Sequence, residues 1–270
     1  MVAKDKNKPI GIFDSGVGGL TVVKEIFKAL PNEKIVYLGD TARVPYGTKS
    51  SETIKRFSVE NVEFLMQFNV KLIVVACNTA SSISLPVLRK RFKIPIVGVI
   101  NPGAKRATEI SRNNKIGIIG TATTIKSKAY EKEIRRASKA AKVMSRPCPL
   151  FVPLAEEGWL NGEITFDIAK KYLAPLARKK IDTLVLGCTH YPLLKDVISR
   201  AIGSNVRIVD SASSVAEEVT RILQRINVLS CASKKPDHRF FTTDAVEQFV
   251  KVGERFLGRR INRARKADYV

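Results

Sequence analysis

One strand-and-cysteine unit occurs twice in this chain, and that repetition limits the possible folds more than any other feature. "KLIVVACNTASS" at 71–82 is matched by "DTLVLGCTHYPL" at 182–193. Each is an apolar run, then a cysteine, then a hydroxyl residue and a helical stretch. "IGIFDS" at 10–15 is matched by "IGIIGT" at 116–121, and the two offsets, 106 and 111 residues, are nearly equal. After each cysteine unit another apolar strand follows, "IPIVGVI" (94–100) and "NVRIVD" (205–210). Strands alternating with helical segments build parallel sheets from βαβ units. The expected fold is therefore α/β: two pseudo-symmetric domains with mainly parallel sheets, facing each other across one cleft. Residues 1–100 with 211–270 are assigned to the first domain and 101–210 to the second. Crossings are expected at Asn101 and Pro102 and near Ser211. Beyond the second crossing, "SVAEEVTRILQRI" reads as a helix returning to the first domain. "HRFFTTDAVEQFVKVGERFL" then reads as a short strand and a last helix.

In open α/β sheets ligands bind outside the carboxyl ends of the strands. Asp14, Cys77, Thr121 and Cys188 all fall at such ends. The first lies in "IGIFDSGVGGLTV" (10–22), where an apolar strand stops at an acid, a serine and three glycines. Gly16, Gly18 and Gly19 are expected to turn the backbone tightly and leave N–H groups uncovered. From Leu20 the spacing is helical, with Leu20, Val23, Ile26, Phe27 and Leu30 on one face. A helix starting there would offer its N-terminus to an anion. It is not a dinucleotide fingerprint, because a G-x-G-x-x-G frame from Gly16 meets Thr21 where glycine is required.

A chain of 270 residues with 44% apolar content can bury a real core, which excludes a disordered protein. The N-terminal "MVAKDKNKPI" has charge but no apolar h-region, and no apolar run is long enough to span a bilayer. A cytoplasmic protein with no membrane partner is expected. The four cysteines, at 77, 148, 188 and 231, form no C-x-x-C pair, and only His190 and His238 accompany them. That spacing suits neither a zinc site nor a disulfide framework, so free thiols and no metal are expected.

The formal charge is +22, with basic residues dense in 126–146 and 259–266. The plain readings are a solvated helix face and a frayed basic tail. A nucleic-acid partner is the alternative, but no aromatic-interleaved patch accompanies the charge, so that partner is disfavoured and left open. A positive field would also steer a small dianionic substrate inward.

Free cysteine most often fills a core, which suits Cys148 and Cys231. Cys77 and Cys188 instead directly precede polar residues at expected helix starts, where the thiolate is favoured. One thiolate paired with His190 could attack an acyl group, and two thiols could form a redox pair. Two like groups facing one carbon from opposite sides could remove a proton on one face and deliver one on the other.

Along nearly its whole length the chain resembles the bacterial glutamate racemases. The matching motifs are "GIFDSGVGGLTV", "YLGDTARVPYG", "ACNTAS", "PLAEEGW" and "LGCTHYPLL". The wider superfamily includes aspartate racemases, but "DTARVPYG" and "GCTHYPL" favour the glutamate branch. The resemblance implies cofactor-independent interconversion of the glutamate enantiomers, supplying D-glutamate for peptidoglycan. It implies Cys77 and Cys188 as the acid/base pair, with Cys77 taking the α-proton of D-glutamate and Cys188 that of L-glutamate. Asp14 would sit near the substrate ammonium, with Ser15 beside the α-carbon. Tyr46 and Gly47 would offer backbone N–H groups to a carboxylate. Asn78, Thr79, Thr189 and His190 would add contacts, with Thr121 and Thr124 further out. Asp40, Glu156 and His190 would tune the thiols; otherwise they are a loop cap, a surface acid and a packed ring. A homodimer is the expected assembly, with a monomer as the alternative.

Overall fold

A computed structural model describes residues 6–231 and 236–268. Residues 1–5, which open the charged N-terminal stretch, lie outside the described residues, as do 232–235 and 269–270.

The first part of the chain runs β1 (Ile10–Asp14), α1 (Leu20–Ala29), β2 (Ile35–Gly39), α2 (Ser51–Met66), β3 (Leu72–Val75), α3 (Asn78–Arg91) and β4 (Ile96–Gly98). Helix α4 (Ile100–Ile110) leads to β5 (Lys115–Gly120), α5 (Ala122–Ser127), α6 (Ala129–Ala137) and β6 (Lys142–Pro147). Then come α7 (Phe151–Glu157), α8 (Glu163–Arg178), β7 (Thr183–Gly187), α9 (Lys195–Ile202) and β8 (Arg207–Asp210). Helix α10 (Ser211–Arg225), β9 (Arg239–Thr242), α11 (Val246–Leu257) and β10 (Ala264–Lys266) complete it.

Two sheets result. One has six strands in the order β10-β9-β2-β1-β3-β4, the other four in the order β6-β5-β7-β8. Every pairing is parallel. The run β2-β1-β3-β4 has the same arrangement as β6-β5-β7-β8, which is the structural form of the sequence repeat. β1, β3 and β7 are buried along their whole length, as strands covered on both faces must be. Alternate residues therefore divide between two cores. Ile10, Ile12, Leu72 and Val74 join a cluster continuous with Ile118, Leu184 and Leu186 of the smaller sheet. Phe13, Ile73 and Val75 pack on the opposite face with Ile54, Val62 and Leu88 of α2 and α3.

Asn101 and Pro102, where a crossing is expected, both lie in the first turn of a helix, α4. Two expectations about the basic stretches are corrected. The 259–266 segment is not a frayed tail, because Ala264–Lys266 adds a strand beside β9 in register with Phe240–Thr242. The 126–146 stretch is more than a helix face: its end forms β6, an edge strand. Both carry Lys or Arg, and charge on an edge strand discourages pairing with a further chain. Cys231 is exposed and fills no core, whereas Cys148 is buried. Among the described residues no helix is long and apolar enough to cross a membrane.

Candidate active site

The strands of both sheets end toward one cavity of about 280 Å³. Cys77, just beyond β3, and Cys188, just beyond β7, both line it. Ser15, Tyr46, Gly47, Asn78, Thr79, Thr121, Glu156, Thr189 and His190 share the wall. Gly16, Val44, Pro45 and Val152 complete it. Three expected residues are not on the wall: Asp14, Asp40 and Thr124 are buried behind it.

Asp14 corrects the reading of the glycine turn. Its carboxylate accepts from Gly16 N at 3.0 Å, from Gly19 N, and from Thr189 Oγ1 at 3.4 Å. The first N–H groups of α1 are already used, donating to Val17, Gly18 and Gly19 carbonyls. The anion held at this corner is thus the protein's own. The glycines are not needed for their φ angles, since none of the three is in the positive-φ region. They are needed for close approach. A Cβ on Gly18 would stand 2.3 Å from Thr189 Oγ1 and 2.5 Å from His190 Nδ1; one on Gly19 would stand 2.5 Å from Asp14 Cβ. Burial raises the Asp14 pKa, against the opposing charge of His190 and the backbone donors.

Cys77 is the N-cap of α3, with Sγ accepting from Ala80 N at 3.4 Å and donating to Ser15 Oγ at 3.6 Å. The expected easy thiolate is not found there. Burial first, then the charge of Asp14, push this thiol up to about 12, outweighing the helix terminus and Ser15. Cys188 does not start an α-helix, as the sequence suggested. It precedes a short 3₁₀ turn at Tyr191–Leu194, and Tyr191 N donates to its carbonyl.

His190 connects the second thiol to an acid. Nδ1 lies 3.9 Å from Cys188 Sγ, and Nε2 lies 2.8 Å from Glu156 Oε1. Glu156 is partly exposed at the end of α7, where Arg255 of α11 donates to its backbone carbonyl at 2.6 Å. Phe256, also on α11, packs edge-on against the His190 ring with centroids 5.1 Å apart. Neither residue stands near a recognisable motif, so only the packing of the last helix shows their part.

Asp40 touches neither thiol. It accepts from the Tyr46 hydroxyl, from Arg43 Nε at 2.8 Å and from Thr243 Oγ1 at 3.2 Å, and so fixes the turn carrying Tyr46 and Gly47. Thr79, Thr121 and Thr124 form a hydroxyl cluster joining α3 to α5, with Thr79 Oγ1 2.9 Å from Thr121 Oγ1. Among the described residues no three His, Cys, Asp or Glu side chains gather in a way that could hold a metal ion.

Matched parallel sheets with a cysteine at equivalent strand ends, both thiols on one wall, define an amino-acid racemase. The chain belongs to the Asp/Glu/Hydantoin racemase family, whose model matches residues 10–219. A glutamate racemase of Geobacter metallireducens is 54% identical over 94% of each chain. The crystal structure of glutamate racemase isoform RacE1 from Bacillus anthracis superposes with a TM-score of 0.94, at 44% identity over 97% of this chain and 98% of that one. The Francisella tularensis glutamate racemase, solved in complex with D-glutamate, gives 0.92 at 39% identity over 98% of both. Within the family, the chain's place is with the bacterial glutamate racemases.

Proposed function

We propose that this enzyme interconverts L- and D-glutamate by a two-thiol mechanism that needs no cofactor. The carrying observation is that Cys77 and Cys188 stand at equivalent ends of two matching sheets and line the same cavity. In one direction the Cys77 thiolate removes the α-proton of D-glutamate, and the Cys188 thiol delivers its proton to the opposite face. The S–H bond formed at Cys77 balances the one broken at Cys188, and the carbon inverts. In the other direction the roles exchange. Between turnovers both sulfurs re-equilibrate their protons with water.

An α-proton is far less acidic than a thiol, so the carbanion-like transition state must be stabilised electrostatically. Asp14, behind the wall, faces the substrate ammonium, whose charge would also ease formation of the Cys77 thiolate. Ser15 lies at the Cys77 sulfur, beside the α-carbon. Tyr46, Gly47, Asn78, Thr79, Thr121, Thr189 and His190 supply donors to the carboxylates. Thr124 steadies the threonine cluster, and Asp40 positions the Tyr46 turn. Glu156 holds His190 as a cation beside Cys188. Residues 1–100 with 211–270, and 101–210, act as the two halves of the cleft.

The D-glutamate is destined for peptidoglycan, in the cytoplasm, and the working form is a homodimer. The names of the relatives support the substrate, as does the D-glutamate bound to the Francisella tularensis enzyme.

Incubating the purified protein with L-glutamate in heavy water, with no added cofactor, tests this reading. Loss of optical rotation together with α-deuterium incorporation is expected. L-Aspartate turned over in preference to glutamate would overturn the substrate. Retention of most activity by Cys77→Ser would overturn the paired-thiol chemistry in favour of a Cys188–His190 nucleophile.

A further inference from the structure

Asn78 opens α3 immediately after Cys77 and lies on the cavity wall, almost wholly buried. The two ends of its amide are in different situations. Oδ1 accepts from the Tyr130 hydroxyl at 2.8 Å, whereas Nδ2 is buried and has no hydrogen-bond partner among the described residues. Buried donors are almost always satisfied, so an unpaired one on a cavity wall points to a ligand acceptor.

Tyr130 reaches Asn78 from the other sheet's layer. It stands in the first turn of α6 and is 2% exposed. Its ring is held between two glycines: a Cβ on Gly103 would lie 3.3 Å from its Cε1, and one on Gly187 would lie 3.1 Å from its Cε2. Gly187 directly precedes Cys188, so the ring is packed beside the second thiol. The Ser211 side chain also bonds to the Tyr130 hydroxyl, and burial, with the charges of Asp210 and Cys188, keeps that hydroxyl protonated. Tyr130 donates to Asn78 Oδ1, which leaves the amide NH₂ facing the cavity.

We propose that Tyr130 is a positioning residue for substrate, its hydroxyl fixing the Asn78 amide so that Nδ2 donates to a substrate carboxylate. The proposal rests on the reading of this cavity as a glutamate site. It gives the enzyme a device that spans both sheets: one side chain packed beside Cys188 sets the donor beside Cys77.

Tyr130→Phe tests it, because the ring keeps its place between the glycines and only the hydroxyl is lost. The expected result is a rise of about tenfold in KM for both enantiomers, with kcat changed by less than about threefold. In an Asn78→Ala background the same change should add nothing to KM, since Tyr130 acts through Asn78. Wild-type KM in Tyr130→Phe, or KM effects that simply add in the double variant, would overturn the inference alone. Should Tyr130→Phe fold poorly, Asn78→Asp carries the test, because it places a charged oxygen where the substrate carboxylate binds. Its KM should exceed that of Asn78→Ala, and a lower one would overturn the inference. A wild type inactive on glutamate would instead overturn the reading of the site, and the inference with it.

Discussion

His190 Nε2 lies 2.8 Å from Glu156 Oε1, while the opposite ring nitrogen faces Cys188 Sγ at 3.9 Å. Burial by itself would lower the imidazole pKa. The bonds to Cys188 and Glu156, and the charges on both, overcome it and push the value up to about 10. The ring is therefore a cation at neutral pH, available to stabilise a thiolate and to orient it.

Of the two histidines, His190 should show no titration by NMR between about pH 6 and 8.5 in the free enzyme. Glu156→Gln should lower its midpoint. A folded-state pKa above the unfolded one contributes stability that is full below about pH 6.5 and lost as pH rises through about 10. The gap in thermal midpoint between wild type and Glu156→Gln should accordingly be wide at neutral pH and close near pH 10. A His190 that titrates near 6.5 in the wild type would contradict this electrostatic picture.

Gly18→Ala would drive a methyl group into Thr189 and the His190 ring. Both belong to the segment that carries Cys188, so that thiol must shift relative to Cys77. A misplacement of about 1 Å at a reacting group costs on the order of 100-fold in rate. Steady-state kinetics should show a kcat reduced by about that factor, with folding retained by circular dichroism. Near-normal kcat would mean that the two halves approach less closely than described.

Asp14→Asn should trade activity for stability. Burial holds the Asp14 pKa above its ordinary value, so its charge penalises the folded state at neutral pH. The penalty fades as pH falls through the folded pKa and is gone below the unfolded value of about 3.8. Calorimetry at pH 7 should find the variant at least as stable as wild type, with the advantage shrinking toward acid pH. Racemisation should fall by about 100-fold or more, as for the loss of one preorganised electrostatic group. A destabilised variant would assign Asp14 to the scaffold.

Much of this was legible in the sequence, for a physical reason. Strands buried on both faces must be continuous apolar runs, so "IGIF", "LIVV" and "TLVLG" announced themselves. The cysteines beyond two of them identified the cleft. Edge strands follow the opposite rule, and Ala264–Lys266 and the exposed Lys142–Pro147 read as charged surface for that reason. The glycines were visible but their purpose was not. Gly18 is shaped by Thr189 and His190, about 170 positions away, and no local pattern encodes such an approach. The contacts of Asp40 were likewise hidden, because its partners Arg43, Tyr46 and Thr243 meet only in the folded chain.

The thiols should differ sharply toward an alkylating reagent. Cys231 is exposed, whereas Cys77 is buried and pushed up to about 12, so it stays a thiol at pH 8. Peptide mass mapping after brief iodoacetamide treatment should find Cys231 modified and Cys77 intact. Cys231→Ser should remove that fast phase and leave turnover unchanged. Rapid labelling of Cys77 in the free enzyme would contradict its burial beside Asp14.

In the proposed mechanism two different thiols act on opposite faces of one carbon. A thiol holds a single proton, which exchanges with water before it is delivered. Racemisation should therefore be started from one pure enantiomer of glutamate in heavy water and stopped at low conversion, with each enantiomer analysed by mass. The two-thiol mechanism predicts deuterium at the α-carbon of the product enantiomer and none in the remaining substrate, whichever enantiomer is the starting one. Product carrying the substrate's own proton, or label entering both enantiomers equally from the first turnovers, would contradict it.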